Sequence, residues 1–315
     1  MSYRLMTAVA RNPATPGFFF AETTTDSMSN FNLTTEIQRS VDRALAEDIG
    51  SGDLTAALVP ATTRATATVI TREAAIVCGR AWFDEVFRRL DPGIHIEWHY
   101  MDGERALANA LLCRLQGPAR ALLTGERTAL NFLQTLSGTA TATRRYVDAI
   151  AGTGCKVLDT RKTIPGLRRA QKYAVISGGG TNHRVGLFDA ILVKENHIIA
   201  AGSIAAAVAH ARDTAGECMV EVEVENLDEL EQALKTNIDR VLLDNFTNDQ
   251  LVDAVKLKIA RKGYHVQLEA SGNVTLDTIR DIARTGVDFI SIGGLTKHLQ
   301  AVDLSMRFEF SEQAS

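Results

Sequence analysis

The pattern of hydrophobic and polar positions changes near residue 155, and the change predicts two differently built regions. In the first region, stretches with apolar residues at helical spacing alternate with stretches rich in Thr, Val and Ile. The helical stretches are residues 33–47 and 81–90, the strand-like ones are residues 65–79 and 94–101, and residues 107–150 pass from a strand into long helices. This mixture of periodicities predicts a small α+β domain.

From residue 155 onwards, six short apolar runs recur, and helical segments separate several of them. The runs are KVLDT (156–160), DAILVKE (189–195), MVEVEVE (219–225), RVLLDN (240–245), HVQLEAS (265–271) and DFISIGG (288–294). Alternating strands and helices predict a parallel sheet, and many such units predict a βα barrel. Because a closed barrel has eight strands, we predict an open, incomplete α/β barrel of six to seven strands.

These patterns divide the chain into four predicted parts. They are a disordered N-terminal extension (residues 1–30), a sandwich-like α+β domain (31–126), the open barrel with the active site (127–297) and a C-terminal segment that returns to the first domain (298–315). The extension contains Arg4, Arg11 and many Ser and Thr, with no acid before Glu22. A transit peptide is therefore the alternative interpretation of this segment.

Composition and charge exclude several classes of partner. The chain has 315 residues, 45% of them hydrophobic and 23% charged, which is ordinary for a globular protein. A formal net charge of −4 gives no general attraction to nucleic acid or to an anionic membrane. No run approaches the roughly 18 apolar residues of a membrane span. The four cysteines form no C-x-x-C pair, which favours free thiols and a cytoplasmic location.

Every predicted barrel strand ends in polar or small residues. In βα barrels the active site lies at the C-terminal ends of the strands. The end residues include Asp159, Thr160, Lys194, Glu223, Asp244, Glu269, Ser271 and Ser291. Single strands allow simpler interpretations: Glu221, Glu223 and Glu225 suit one exposed face of an edge strand, and Asp244 suits a helix cap. The agreement among six strands favours a site.

Two kinds of anion site are predicted from these ends. Glycine-containing loops at residues 270–275 and 292–298 lie between a strand and a helix, where backbone N–H groups and a helix N-terminus favour a phosphate. A second site is cationic: residues 159–197 hold seven Lys and Arg against three acids, so the local balance is 7 − 3 = +4. The cations are Arg161, Lys162, Arg168, Arg169, Lys172, Arg184 and Lys194. Glu223 and Asp244 supply hard oxygen ligands for Mg²⁺.

At these residues the sequence closely resembles the quinolinate phosphoribosyltransferase family, the decarboxylating nicotinate-nucleotide pyrophosphorylases of NAD biosynthesis. The resemblance covers residues 33–307. Its blocks are EDIGSGDLT, TGERTALNFLQTLSGTAT, DTRKTIPGLR, KYAVISGGGTNHR, DAILVKENHI, EVEVENLDEL, LLDNF, LEASGNV and GLTKH, in this order. The resemblance implies an N-terminal α+β domain, an open α/β barrel and a homodimer, or a higher oligomer, with shared active sites.

The resemblance also implies roles for individual residues. The two quinolinate carboxylates would be surrounded by Arg127 of the neighbouring subunit, Arg161, His183, Arg184 and Lys194, with Thr160 nearby. Lys162 would lie between quinolinate and phosphoribosyl pyrophosphate. Glu223 and Asp244 would bind ribose or Mg²⁺. The 5′-phosphate would lie on Ala270, Ser271 and Gly272 and on Ser291, Ile292 and Gly293. Lys162, Lys194, Glu223 and Asp244 are the expected catalytic residues.

The expected reaction is phosphoribosyl transfer to quinolinate with loss of CO₂, with Mg²⁺ as the cofactor. A related transferase that acts on nicotinate or another aromatic acid is the nearest alternative. An isomerase or aldolase with a phosphate-binding barrel would need a Schiff-base lysine, for which Lys194 is the candidate. A sensor of phosphorylated metabolites would bind such ligands without releasing pyrophosphate.

Overall fold

The structure is a computed structural model that describes residues 33–261 and 265–310. The predicted extension at residues 1–30 lies outside these residues. Within the described ranges, no helix is long and apolar enough to cross a membrane.

The N-terminal region is built on a four-stranded antiparallel sheet with helices packed on it. Its elements are α1 (Leu33–Ile49), β1 (Arg64–Thr71), β2 (Ala75–Ile76), α2 (Arg80–Leu90), β3 (His95–Trp98), β4 (Arg105–Ala106), β5 (Leu111–Pro118), α3 (Ala119–Ala149) and, from the end of the chain, β12 (Leu304–Phe310). The order in the sheet is β12-β1-β5-β3, and β2 and β4 form a separate two-stranded ribbon. The predicted α+β region is confirmed.

Strict alternation along β1 gives this region its apolar core. Every second residue of β1, from Ala65 to Thr71, is buried, because successive side chains of a strand point to opposite faces. Phe83 of α2 is fully buried, and its ring centroid lies 5.1 Å from those of both Phe87 and Trp98. Burying side chains of this size stabilises the fold by roughly 1.5–3 kcal/mol each.

Helix α3 connects the two regions and approaches both of them closely. A side chain at Gly125 would place a Cβ atom 2.7 Å from the ring of Phe87. One at Gly138 would lie 2.2 Å from the carbonyl oxygen of Gln300. The predicted domain boundary after residue 126 falls inside this helix. The domain division remains a prediction.

The C-terminal region contains a six-stranded parallel sheet. Its elements are β6 (Lys156–Leu158), α4 (Arg168–Ser177), β7 (Ala190–Val193), α5 (Glu195–Ala201), α6 (Ile204–Ala215), β8 (Met219–Val224), α7 (Leu227–Ala233), β9 (Arg240–Asp244), α8 (Asn248–Ala260), β10 (Gln267–Ser271), α9 (Ile279–Arg284), β11 (Phe289–Ser291) and α10 (Gly294–Lys297). The order is β6-β11-β10-β9-β8-β7. Among the described residues, β6 and β7 do not pair, so the predicted open α/β barrel is confirmed.

The free edge of β6 is met by the chain that leads into β7. Thr181 forms an isolated parallel bridge with Leu158, and its N–H donates to the carbonyl of Val157 at 2.8 Å. The N–H of Asp159 donates to the carbonyl of Thr181 at 3.1 Å. A short extended segment therefore lies against β6 where a closed barrel would have another strand.

After the sheet, the chain returns to the N-terminal region. β12 pairs antiparallel with β1, from Ala65 opposite Phe310 to Thr71 opposite Leu304. The first sheet therefore contains strands from both ends of the described chain.

Candidate active site

All six strands of the C-terminal sheet are parallel, so their C-terminal ends lie along one edge. Ser271 of β10 lies opposite Asp244 of β9 and opposite Ser291 of β11. Ser291 in turn lies opposite Leu158 of β6. This register brings the polar end residues predicted from sequence to one side of the molecule, the side on which βα barrels carry their chemistry.

Two lysines and two acids meet at this edge. The Nζ atom of Lys194, after β7, forms an ion pair with Glu223 of β8. Burial raises the pKa of Asp244 on β9, and the negative charge of Glu223 adds to the rise. The positive charges of Lys194 and Lys162 oppose it. Asp244 does not cap α8, because the hydroxyl of Thr247 accepts the N–H of Gln250 there. The four residues predicted to be catalytic are therefore neighbours.

The segment that follows β6 packs against the loop that follows β11. A Cβ atom at Gly293 would lie 2.9 Å from Cδ of Lys162 and 3.5 Å from Oγ1 of Thr160. The hydroxyl of Thr296 donates to the carbonyl of Lys162 at 2.7 Å. The N–H of Lys162 donates to Oγ1 of Thr160 at 3.1 Å. A side chain at position 293 would force Lys162 to move.

The loop after β10 is similarly tight. Gly272 has φ +114°, and a Cβ atom there would lie 2.1 Å from Oδ1 of Asn245. Asn245, in the left-handed region with φ 56°, donates its N–H to the carbonyl of Ser271 at 2.8 Å. The expectation of a helix directly after residues 270–275 is wrong, because α9 begins only at Ile279. Any anion at residues 270–272 must therefore be held by backbone N–H groups and not by a helix terminus.

Two arginines come together beside the lysine–acid group. Burial lowers the pKa of Arg184, and the positive charge of Arg161 lowers it further. The Nε atom of Arg161 is buried and has no hydrogen-bond partner within the described residues. An anion would supply that partner and relieve the repulsion between the two cations.

The structure places His183 differently from the other predicted ligands. Its Nδ1 atom accepts the N–H of Arg184 at 2.7 Å. Its Nε2 atom lies 2.9 Å from Glu221 and 3.5 Å from Glu269, two fully buried acids. Burial lowers the pKa of His183, which favours the neutral ring. In this conformation both ring nitrogens face the protein.

The negative charge of the two acids that His183 contacts is balanced by an arginine. Arg240 donates to Glu269 at 3.2 Å, and its guanidinium carbon lies 4.2 Å from the ring centroid of Phe289. Burial, followed by the charge of Glu221, raises the pKa of Glu269 to about 7. The interpretation of Glu221 as part of an exposed edge is wrong, because β8 lies between β7 and β9.

These acids also form a possible metal group. One ligand atom each of His183, Glu221 and Glu269 lies within 4.8 Å of the others. Arg240 already supplies a positive charge to the group, and burial raises the pKa of Glu269 to about 7. We therefore interpret the group as a buried charge network and not as a metal site.

Two of the seven predicted anion-binding cations serve the protein itself. Lys172 is 1% exposed and pairs with the fully buried Asp159, so its placement in the cationic site is wrong. Arg168 donates to Oγ1 of Thr163 and to the carbonyl of Val185, both at 3.2 Å. The usable positive charge is thus concentrated in fewer side chains than the sequence count indicates.

Arg127 lies apart from this group. It is exposed on α3, and within the described chain no hydrogen bond or ion pair joins it to the strand ends. Asp159 and Lys172, predicted as a strand-end residue and an anion-binding cation, instead pair with each other in the framework of the site, and Asn245 holds the loop after β10 through its bond to Ser271. A lysine between Ala170 and Ala174, on a helix that packs into the core, was the available signal for one of them.

Comparison with known proteins gives consistent matches over both regions. Residues 53–137 match the family described as quinolinate phosphoribosyl transferase, N-terminal domain, and residues 139–307 match its C-terminal domain. A probable nicotinate-nucleotide pyrophosphorylase [carboxylating] of Bacillus subtilis is 39% identical over 280 residues, which cover 89% of this chain and 96% of that protein. A nicotinate-nucleotide pyrophosphorylase [carboxylating] of Mycobacterium leprae is 42% identical over 273 residues, covering 85% and 95%.

A solved structure shows the same fold. The nicotinate-nucleotide pyrophosphorylase of Francisella tularensis superposes with a TM-score of 0.86 at 49% sequence identity. The alignment covers 91% of this chain and all of that one. Both regions and the sheet that carries the strand-end residues therefore have a counterpart of known structure.

Proposed function

The chain belongs to the quinolinate phosphoribosyltransferase family, and we propose that it converts quinolinate and phosphoribosyl pyrophosphate to nicotinate mononucleotide, pyrophosphate and CO₂. The ring nitrogen of quinolinate forms a bond to C1 of the ribose while the bond from C1 to pyrophosphate breaks. The carboxylate beside the nitrogen then leaves as CO₂, and the ring carbon that carried it keeps the electron pair and takes up a proton from water. The place of this reaction is the de novo synthesis of NAD.

The observation that carries the proposal is the meeting of two cation groups at one edge of the sheet. The positive charge of Arg161 lowers the pKa of Arg184, and the buried Nε atom of Arg161 has no hydrogen-bond partner within the described ranges. Lys162 and Lys194 lie beside Glu223 and Asp244. The arginines suit a dicarboxylate, because guanidinium groups bind carboxylates in pairs of hydrogen bonds. The lysines suit the junction between that substrate and pyrophosphate.

Charge stabilisation accounts for the chemistry that these side chains can perform. A pyridine nitrogen needs no general base, so the main demand is to stabilise negative charge on the departing pyrophosphate. Lys162, held against Gly293, is placed for this role, and Lys194 can orient the bound carboxylates. Fixed charges in a partly dry site stabilise such a transition state more strongly than water does.

Glu223 and Asp244 are the residues that would hold Mg²⁺. They are carboxylates at the ends of adjacent strands, and burial together with the charge of Glu223 raises the pKa of Asp244. Such a pair gains from a divalent cation, and oxygen donors are the ligands that Mg²⁺ prefers. When bound, Mg²⁺ would neutralise pyrophosphate oxygens.

The glycine loops fit the 5′-phosphate of the ribose. Residues 270–272 and 291–293 end neighbouring strands; a side chain at Gly272 would clash with Asn245, and one at Gly293 would displace Lys162. Their backbone N–H groups can therefore approach a phosphate oxygen closely. Ala270, Ser271, Ser291 and Ile292 complete these loops.

A homodimer with shared sites would explain the isolated position of Arg127. The hydroxyl of Thr124, one turn earlier on α3, donates to Asp53 at 2.8 Å. The loop that begins at Asp53 carries Leu54 and Leu58, whose exposed fractions are 87% and 83%. Large exposed apolar side chains beside Arg127 support contact with a second copy of the chain. Arg127 would then enter the site of that copy.

A cytoplasmic location follows from the thiols. All four cysteines, Cys78, Cys113, Cys155 and Cys218, are free, and the first three are buried. A chain with unpaired cysteines suits a reducing compartment.

The Schiff-base alternative is disfavoured by the environment of Lys194. Its ammonium group pairs with Glu223, so the nitrogen is already engaged by a carboxylate and is not free to attack a carbonyl group. A transferase for nicotinate would need fewer cations than the arginines and lysines gathered here.

One assay tests the proposal against its alternatives. The protein is incubated with phosphoribosyl pyrophosphate, Mg²⁺ and either quinolinate or nicotinate, and CO₂ and pyrophosphate are measured. We expect equal amounts of both products with quinolinate and little pyrophosphate with nicotinate. Pyrophosphate release with nicotinate alone would favour the nearest alternative, and binding without release would favour a sensor.

A further inference from the structure

We propose that the buried ion pair of Asp159 and Lys172 is a positioning device that fixes the loop carrying His183 and Arg184 for the dicarboxylate substrate. The inference rests on the proposed function, because it concerns how that substrate is bound. Neither residue faces the open edge of the site: Asp159 is 0% and Lys172 1% exposed. Both act through the residues that they hold.

The pair holds the backbone of His183 on both sides of its Cα atom, through two successive peptide units. Oδ1 of Asp159 accepts the ammonium group of Lys172 and also the N–H of His183, the latter at 2.8 Å. The same ammonium group donates to the carbonyl of His183 at 2.8 Å. The backbone N–H and C=O of His183 are therefore both fixed by one acid and one base. The next residue is Arg184.

Asp159 also links this loop to the other cationic segment. Its own N–H donates to the carbonyl of Thr181 at 3.1 Å. It is separated from Arg161 only by Thr160, at the end of β6. Lys172 extends from α4, the helix that follows Arg161 along the chain. The pair therefore joins the strand end, the helix and the loop, and it sets the position of Arg184 relative to Arg161.

Energetic considerations favour positioning over stability as the purpose of the pair. Removing an acid and a base from water costs several kcal/mol per ion, and well-packed apolar residues are often as stable as a buried pair. Arg161 and Arg184, meanwhile, repel each other in the absence of an anion. A rigid framework prevents them from moving apart. The site is thus organised before the dicarboxylate binds, which lowers the cost of binding.

The inference predicts a selective loss of affinity. The dicarboxylate depends on Arg161 and Arg184, whereas phosphoribosyl pyrophosphate depends on Glu223, Asp244 and the glycine loops of other strands. Disruption of the pair should therefore weaken binding of the first substrate and spare the second. A residue with a purely structural role would lower thermal stability without this selectivity.

The test compares two lysine variants with the same substitution. Lys172→Met removes the ammonium group from the pair. Lys258→Met removes a more exposed ion pair with Asp288, in which Nζ and Oδ2 are 2.6 Å apart, beside the N-terminal end of β11. Calorimetry at 25 °C measures Kd for benzene-1,2-dicarboxylate, an unreactive mimic of quinolinate, and for phosphoribosyl pyrophosphate. Steady-state kinetics gives KM for quinolinate and kcat.

We expect Lys172→Met to raise Kd for the dicarboxylate and KM for quinolinate about tenfold, the effect of losing one buried hydrogen bond. Kd for phosphoribosyl pyrophosphate should stay within twofold, and Lys258→Met should change neither constant. Equal losses for both substrates, or unchanged dicarboxylate binding, would overturn the inference.

If Lys172→Met does not fold, Asp159→Asn is the variant that tests the inference. It keeps the size of the side chain and an oxygen that accepts the N–H of His183, so we expect a smaller but equally selective rise in Kd. An unselective change would overturn the inference. The two failures can be told apart. If the wild-type protein does not turn over quinolinate, the proposed function is refuted; if it does but the variants lack the selective effect, only this inference is refuted.

Discussion

The two sheets of this protein differ in the side chains that they bury. In the N-terminal sheet, the buried side chains of β1 are apolar except Thr71, and they pack on aromatic residues of α2. In the C-terminal sheet, buried positions of β8, β9 and β10 hold Glu221, Arg240 and Glu269. Apolar burial stabilises, whereas buried charges cost free energy unless they are paired. Both regions bury an apolar core, but of the two sheets, within the described residues, the C-terminal one also buries charged side chains.

Phe83→Ala should have the largest effect on stability, because it removes apolar side-chain burial in the N-terminal region. Its fully buried ring contacts Phe87 and Trp98, all within the N-terminal region. Loss of the ring leaves a cavity that costs about 3–5 kcal/mol. We expect a large drop in the free energy of unfolding, measured with urea, and a kcat/KM within twofold of wild type at temperatures where the variant is folded. If the fall in kcat/KM, expressed as a free energy, were as large as the fall in the free energy of unfolding, the proposed difference between the two regions would be contradicted.

Lys194→Ala should show the reverse behaviour. Its side chain is half exposed at the mouth of the site and pairs with Glu223, so its removal leaves no cavity. We expect quinolinate turnover to fall about 10²–10³-fold, the range for loss of one electrostatic contact to a transition state. The melting temperature should barely move. Turnover like that of wild type, followed by CO₂ release, would remove Lys194 from the proposed machinery.

Glu269→Gln tests the charged interior with a smaller effect. Burial raises the pKa of this carboxyl to about 7 in the folded state, from 4.5 when unfolded. The folded protein therefore holds the proton more tightly, and this contribution to stability is present below pH 4.5 and lost as the pH rises through 7.

The loss of stability between pH 5 and pH 8 should accordingly be smaller in Glu269→Gln than in wild type. Urea unfolding at both pH values measures it. The exposed Glu225→Gln is the control and should keep the wild-type difference. Equal differences in all three proteins would show that Glu269 does not titrate in this window.

Local patterns sufficed to predict the strands and their polar ends. All six predicted runs contain a strand of the parallel sheet, because short β-branched stretches between helices are a strong local signal. The residues after those runs lie along one edge for the same reason: a parallel sheet aligns strand ends regardless of detail. Lys194 and Glu223 could thus be predicted as neighbours from chain order and strand direction alone.

Side-chain direction could not be predicted in the same way. Lys172 and Arg168 count as cations in the sequence, but the fold turns the first into the core and the second onto carbonyl groups. His183 likewise points at Glu221, a contact between distant parts of the chain. The segment between β10 and α9 is also longer than the predicted loop at residues 270–275, because α9 begins only at Ile279. Tertiary contacts decide such cases, and single-sequence patterns do not record them.

The pairing of β12 with β1 has a consequence for synthesis of the chain. Residues 304–310 form one edge of a sheet whose other strands lie before residue 119. During translation, β1 therefore emerges long before its partner and keeps an open edge while the whole parallel sheet is made. Pairing over such a separation is slow, because a very long loop must close first. The N-terminal region is thus the first to begin folding and the last to be completed.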